Sequence, residues 1–438
     1  MLPRRMRRRA VKRTKSPRLV LTSGLLLFSY LLGACAAPAE IEPAASTPTG
    51  SVFPTPFQPE LGQYDSPFAS TSVPIIPMGT DANGVPIEQS LSATPTSPVP
   101  DFPILNLSPD INPLTGLPPA DPYLLERRPM AIKVTNYPRY VRPQSGLTLA
   151  DQVFEYYIEA NLTRFIAVMY GADSEWVGPV RSGRYFDEHV ARMYRAFLVF
   201  KYADKREYDY LKQSAIADFL VVPSNAACPP FRIGHEDRDT YNNIFFNTVL
   251  FRDCIAQREG VDNARQPIRN GFFSVLIPVS NLEVSRVYTK YSADDYHYWD
   301  YSPDSLKYFR FQETVSVRDG AAETYAPLMD EVTGQQVNAE NIVFLFAQHT
   351  FANPFDAEDE VYHIDLTGSG KAYVFRDGIA VPGIWYRADM DQPLFLTALN
   401  GAPIFLRPGR TFYEVLGASS TVYQDQDKNY WYYAFRTP

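Results

Sequence analysis

AYVFRDGIAVPGIWY, Ala372 to Tyr386, is the stretch from which the fold is read. Apolar and β-prone residues flank Asp377-Gly378, a dipeptide that accepts positive φ at both positions. Such a pair closes a two-residue hairpin whose twist suits the strands on either side. Asp319-Gly320 and Asn400-Gly401 repeat the signal. Phe273 to Pro278, Glu283 to Tyr291, Tyr296 to Tyr301, Tyr308 to Val317 and Ile342 to Gln348 also carry strand-like patterns. No convincing helical crossover interrupts them, so residues 271–438 are expected to form a mainly antiparallel β half.

Upstream the pattern mixes. Arg128 to Val134 (RPMAIKV), Asp151 to Ile158 and Thr163 to Tyr170 (TRFIAVMY) read as strands, and Ala196 to Phe200 as another. Phe186 to Tyr194, Lys205 to Ala217 and Thr240 to Arg258 have helical spacing. Residues 108–270 therefore predict an α+β half. The sequence leaves open whether the halves are separate domains or share one sheet.

Residues 1–34 hold nine Lys and Arg and no acid, then an apolar run from Leu19 to Leu32; removing them takes the formal charge from −8 to −17. Basic start, short apolar run and small residues follow the order of an export signal. Leu32-Gly33-Ala34-Cys35 resembles the lipobox of bacterial lipoproteins, in which the thiol receives diacylglycerol and becomes the new N-terminus. Cys35 is thus the expected lipidation site, and a cell-membrane, extracytoplasmic location the expected address. Several acyl chains hold firmly where one holds marginally. Residues 36–107 contain fourteen Pro, seven acids and no Lys or Arg. Residues 35–107 accordingly read as a disordered Pro/Ser/Thr-rich tether. So acidic a body excludes general attraction to nucleic acid.

The remaining cysteines, Cys228 and Cys254, invite a disulfide in an exported protein. No C-x-x-C spacing supports a metal, and none is expected; nor is a cofactor. GSGK (Gly368 to Lys371) fails the phosphate-loop pattern, because Asp365 stands where its first glycine belongs and Ala372 where Ser or Thr is needed. HEDRD (His235 to Asp239) mixes possible ligands that point in different directions. Arginines are the more specific feature. Arg142, Arg164, Arg181 and Arg184 stand on or beside RPQSG and VGPVRSGRYF, with Asn136, Gln144, Ser145 and Ser182 close by. Gly178, Pro179 and Gly183 frame a fixed loop, and guanidiniums so held make forked contacts to carboxylate or phosphate. Pairing with Asp151, Glu155, Glu159 and Asp187 is the structural alternative.

INPLTGL (Ile111 to Leu117), RPMAIKVTNYP, RPQSGLTLADQVFEYYIEANLTRFIAVMY, VGPVRSGRYF, DLTGSGKAYVFRDG and LRPGRTFYEV together resemble the YerB-like bacterial lipoproteins. These carry paired N- and C-terminal regions of a domain of unknown function numbered 3048. The resemblance covers residues 111–416 with the blocks in order. It implies a layered sheet-and-helix N-terminal half and a lipid-anchored, exported protein, and it implies no reaction. Where relatives read P-H-N-L-Y, this chain has Tyr241-Asn242-Asn243-Ile244-Phe245, keeping Asn243 and lacking the histidine.

The expected function is a non-enzymatic binding protein that presents the four arginines, with Asn136, Gln144, Ser145, Ser182 and Asn243, to an anionic envelope ligand such as a wall polymer. One alternative is an envelope-polymer hydrolase or transferase using Ser145, Ser182 or His235. Another is an adaptor of an exported protein complex using Tyr296, Tyr298, Trp299 and Tyr301.

Overall fold

The computed structural model describes residues 107–223, 230–235, 237–269, 272–356 and 359–436. The leader, Cys35, nearly all of the tether, and Cys228 lie outside them. In the hairpin, Gly368–Arg376 pairs antiparallel with Ile379–Arg387, Arg376 facing Ile379. Asp377 and Gly378 have φ of 53° and 74°, as the turn chemistry demands.

The sheet grows from this hairpin. Gly368–Arg376 lies antiparallel to Asn341–Phe351, which runs parallel to Thr411–Gly417, which runs parallel to Gln152–Tyr157. Thr163–Met169, Met130–Thr135, Phe197–Val199 and Leu220–Val221 follow in that order. Among the described residues eleven strands join this sheet, so the two halves of the sequence share it. Every residue of Met130–Thr135, Gln152–Tyr157 and Thr163–Met169 is buried, the charged Lys133, Glu155 and Arg164 among them; strands covered on both faces need not alternate.

A second sheet of seven described strands is built on Arg286–Lys290, Tyr296–Ser302, Lys307–Glu313 and Tyr430–Ala434. Its strands alternate, as in the burial of Lys307–Glu313. Trp299 packs on Phe412 at 4.8 Å and Tyr433 on Phe344 at 3.8 Å between ring centroids, joining it to the first sheet. The described helices are α1 (Asp187–Met193), α2 (Lys205–Gln213) and α3 (Thr248–Ile255). Asp204 caps α2 and Asn247 caps α3 through backbone N–H groups. None is long and apolar enough to cross a membrane. The result is a β-rich mixed-sheet protein of the α+β class.

The described pairings within the C-terminal half are mainly antiparallel, as expected. Two are parallel without a helical crossover: strands and the hairpin make the return from Asn341–Phe351 to Thr411–Gly417, and Tyr430–Ala434 is parallel to Arg286–Lys290. Three expectations are corrected. Thr240 to Arg258 is not one helix: Ile244–Phe246 is a strand, and α3 starts only after the Asn247 cap. The helix expected over Lys205 to Ala217 ends at Gln213. Phe273 to Pro278 is not a strand; only Phe273 makes a bridge, to Leu406.

Candidate functional site

The residues singled out from sequence fall into separate groups. Arg142, Asn136 and Gln144 belong to a buried ionic network between the sheets. Arg142 donates to Glu313 Oε1 at 2.8 Å and to the Asn136 carbonyl at 3.0 Å. Asn136 Nδ2 donates to Thr163 Oγ1 at 3.0 Å, and Gln144 Nε2 to the Thr135 carbonyl at 3.2 Å. Deeper in, Arg310 Nη1 lies 2.7 Å from Glu155 Oε2 and 3.5 Å from Glu414 Oε1. His297 Nε2 approaches Glu414 Oε1 at 2.8 Å, and Trp299 Nε1 donates to the same oxygen at 3.0 Å. Burial pushes Glu155 and Glu414 each up to about 7 and His297 down to about 3. Glu155, Asp295 and His297 bring possible ligand atoms within 4.8 Å of one another. The Arg310 guanidinium already supplies the cation there, and its charge opposes a second.

A second group gathers at the end of the strand Met130–Thr135. The loop carrying Arg181 and Ser182 is fixed by its backbone: Val180 N–H donates to the Ile244 carbonyl at 2.7 Å, Arg181 N–H to Lys133 at 3.2 Å and Gly183 N–H to Tyr202 at 2.9 Å. Arg164, on the neighbouring strand, donates to the Ser182 carbonyl at 3.2 Å. It is 6 % exposed, and no carboxylate lies within ion-pair distance of it among the described residues. Burial, then the Arg184 guanidinium, bring Arg164 down to about 9; Glu159 opposes them from beyond ion-pair distance, and Arg181 adds to the lowering.

Arg181 donates to the Tyr241 carbonyl and Asn242 Oδ1, both at 3.1 Å, and its buried Nε has no partner. Burial lowers its pKa as well. Arg184 differs. Its Nε donates to Glu159 Oε2 at 2.9 Å, and Nη1 lies 3.5 Å from Glu207 Oε2. Burial opposes its charge, yet those carboxylates raise its pKa. Asn243, beside the loop that receives Arg181, keeps a buried Oδ1 without a partner.

Two lysines missing from the sequence reading join this group. Lys133 is fully buried, bonded to Asp187 Oδ1 at 2.9 Å and to Tyr156, and burial brings it down to about 8. A lysine inside the apolar run MAIKVT was the available signal. Lys201 donates to the Thr240 carbonyl; burial and Arg181 lower its pKa. Lys133, Arg164, Arg181, Arg184 and Lys201 face Glu159, Asp187, Asp239 and a Glu207 that burial pushes up to about 7. Cations are in excess.

Ser145 stands apart: its Oγ donates to Glu331 Oε2 at 3.0 Å, and His235 Nε2 lies 2.9 Å from Glu331 Oε1. No sequence signal linked Glu331 to them across so many residues. Ser182 has no side-chain base within hydrogen-bond reach among the described residues. Tyr296 and Trp299 are interior, whereas Tyr298 and Tyr301 are half-buried. Cys254 is buried in α3 and disulfide-bonded; the expected partner, Cys228, lies outside the described residues.

Two family profiles match the chain. The N-terminal domain of a protein of unknown function (DUF3048) matches residues 114–261, and the corresponding C-terminal domain residues 287–413. The curated relative named "Putative lipoprotein YerB", from Bacillus subtilis (strain 168), is 26% identical over 313 residues, 69% of this chain and 85% of the relative. A crystal structure of Bacillus subtilis YerB covers 73% of this chain and 98% of its own, at 23% identity and a TM-score of 0.57. That likeness concerns the fold.

Proposed function

The chain belongs to the DUF3048 family, with a Bacillus subtilis relative that carries a lipoprotein's name, and from that premise we propose a lipid-anchored envelope protein that binds an anionic group at Arg164 and Arg181. Cys35 carries the anchor and the folded part faces outward. Of the four arginines, Arg142 is neutralised by Glu313 and Arg184 by Glu159, which leaves two. The observation that carries the reading is Arg164, a buried cation with no carboxylate partner beside the unpaired Nε of Arg181. An uncompensated buried charge is costly, and an incoming carboxylate or phosphate would complete it with charge-assisted bonds. Ser182 and Asn243 add polar groups at the rim, and Lys201 adds charge. A wall glycopolymer has the required chemistry.

Retention of the full chain on isolated anionic wall polymer tests this. Arg181→Ala and Arg164→Met should each lose most of the retention, and increasingly so with added salt. Retention equal to that of the wild type overturns the reading.

A hydrolase or transferase reading draws on Ser145, Glu331 and His235. Here the carboxylate stands between hydroxyl and imidazole, so the ring is not placed to take the serine proton as it is in a catalytic triad. Covalent labelling by a fluorophosphonate that vanishes in Ser145→Ala would favour it; an unlabelled wild type leaves binding as the function.

A further inference from the structure

The segment Ser274 to Ser280 is apolar and lies outside the core. Val275, Leu276, Ile277 and Val279 are 69, 77, 64 and 104 % exposed, and contiguous apolar surface of this kind marks a contact with something other than water. The segment is held as a strap, not left as a loose end. Ser274 N–H donates to the Leu406 carbonyl at 2.9 Å, and Ser280 Oγ to the Ala380 carbonyl at 2.6 Å. Between them the buried Arg376 donates to the Leu276 carbonyl at 3.1 Å.

Phe273, at the foot of the strap, lies against Gly116 so closely that an added Cβ would sit 2.5 Å from the ring. Arg265, on the approach to the strap, donates to the Pro109 carbonyl. Residues 109–116, near the N-terminal limit of the described residues, therefore lie near the foot of the strap and the segment leading to it. Charge agrees. From Asn263 to Leu282 the sequence holds no acid, in a chain otherwise rich in acids; Arg265 within it pairs with Glu126 at 3.1 Å, and Arg269 adds positive charge. Arg269 is exposed. A net-negative body is repelled by an anionic bilayer, and this acid-free strip is where it can approach.

We propose that the strap Val275–Val279 inserts into the outer leaflet of the membrane that holds the lipid anchor, with Arg269 at the headgroups. Shallow insertion of apolar side chains beside basic residues is sufficient for an interfacial contact once a lipid supplies the first attachment. The proposal rests on the anchor, and it makes the tether a leash that permits a docked state as well as a free one.

The test uses the full lipidated chain on vesicles of phosphatidylglycerol and phosphatidylcholine, with an environment-sensitive fluorophore at Leu276→Cys or, as control, at Asp319→Cys. Co-flotation with vesicles reads the anchor separately from the strap. The probe at 276 should shift to the blue, become several-fold less accessible to aqueous iodide, and be quenched by lipid-borne nitroxide. The probe at 319 should do none of these. Adding Ile277→Asp should return the 276 probe to the behaviour of the control while flotation persists. Equal iodide quenching at both positions in floated protein overturns the proposal. So does a blue shift that depends on protein concentration without vesicles, which would assign the strap to a second copy.

Discussion

Arg164 and Glu207 are buried ionisable side chains with too few partners, and each yields a measurable consequence. Replacing a whole buried ion pair by apolar side chains of similar volume is often neutral or stabilising, and Arg164 has no ion-pair partner among the described residues to leave behind. Arg164→Met should accordingly leave the melting temperature unchanged or raised while polymer retention is lost; a fall of many degrees would mean that Arg164 is structural. Glu207 is 1 % exposed, and neither carboxylate oxygen accepts a hydrogen bond. Burial raises it from an ordinary 4.5 to about 7. Between those values the folded chain keeps a proton that the unfolded chain releases, so this group's contribution to stability falls as pH rises from about 4.5 to about 7. Glu207→Gln removes that titration. Its melting temperature minus that of the wild type should therefore climb across the same window. A flat or falling difference, followed by circular dichroism, contradicts the assignment.

Among the elements, the hairpin was the most legible because its determinants are local: two residues that accept positive φ and patterned flanks. Its central glycine also has a long-range role that no turn rule foresees. Gly378 has φ of 74°, and a Cβ there would lie 2.6 Å from the Tyr301 ring of the other sheet; Gly401 has φ of 84° and open space. Alanine at either pays for a left-handed backbone, about 1 kcal/mol. Gly378→Ala should cost a further 1–3 kcal/mol or so for overpacking. Equal costs in denaturant titrations would place no contact at Tyr301. The parallel pairings were hidden for the opposite reason, since register between strands distant in sequence leaves no local mark. Val275 to Val279 shows the same limit: its β-prone composition fits a strand, but among the described residues no neighbouring strand pairs with it, and it is left exposed on the folded part. The arginines were found because glycines and prolines frame them. Which of them keep a free charge depended on Glu159, Glu207 and Glu313, whose placement only the fold determines.

At the scale of the whole molecule, the buried network joins the two family-profile segments chemically as the sheet joins them mechanically. Glu155 comes from the first, Arg310 and His297 from the second, and Glu414 adjoins its end. The strand carrying Glu155 pairs with the strand carrying Glu414, Glu155 facing Glu414. Arg310 is the cation between them, so Arg310→Leu leaves two carboxylates to compete for protons in a dry interior. Removing one partner of a buried ion pair costs about 3–5 kcal/mol, and the loss should fall on both halves at once. Calorimetry should show one transition, with equal calorimetric and van't Hoff enthalpies, displaced downward in the variant without splitting. Residues 1–270 alone should fail to fold, because Gln152–Tyr157 would present an unpaired edge where Thr411–Gly417 belongs. Two resolved transitions, or a protease-resistant fragment ending near residue 270, would show instead that the halves are independent and that the ionic network only decorates their contact.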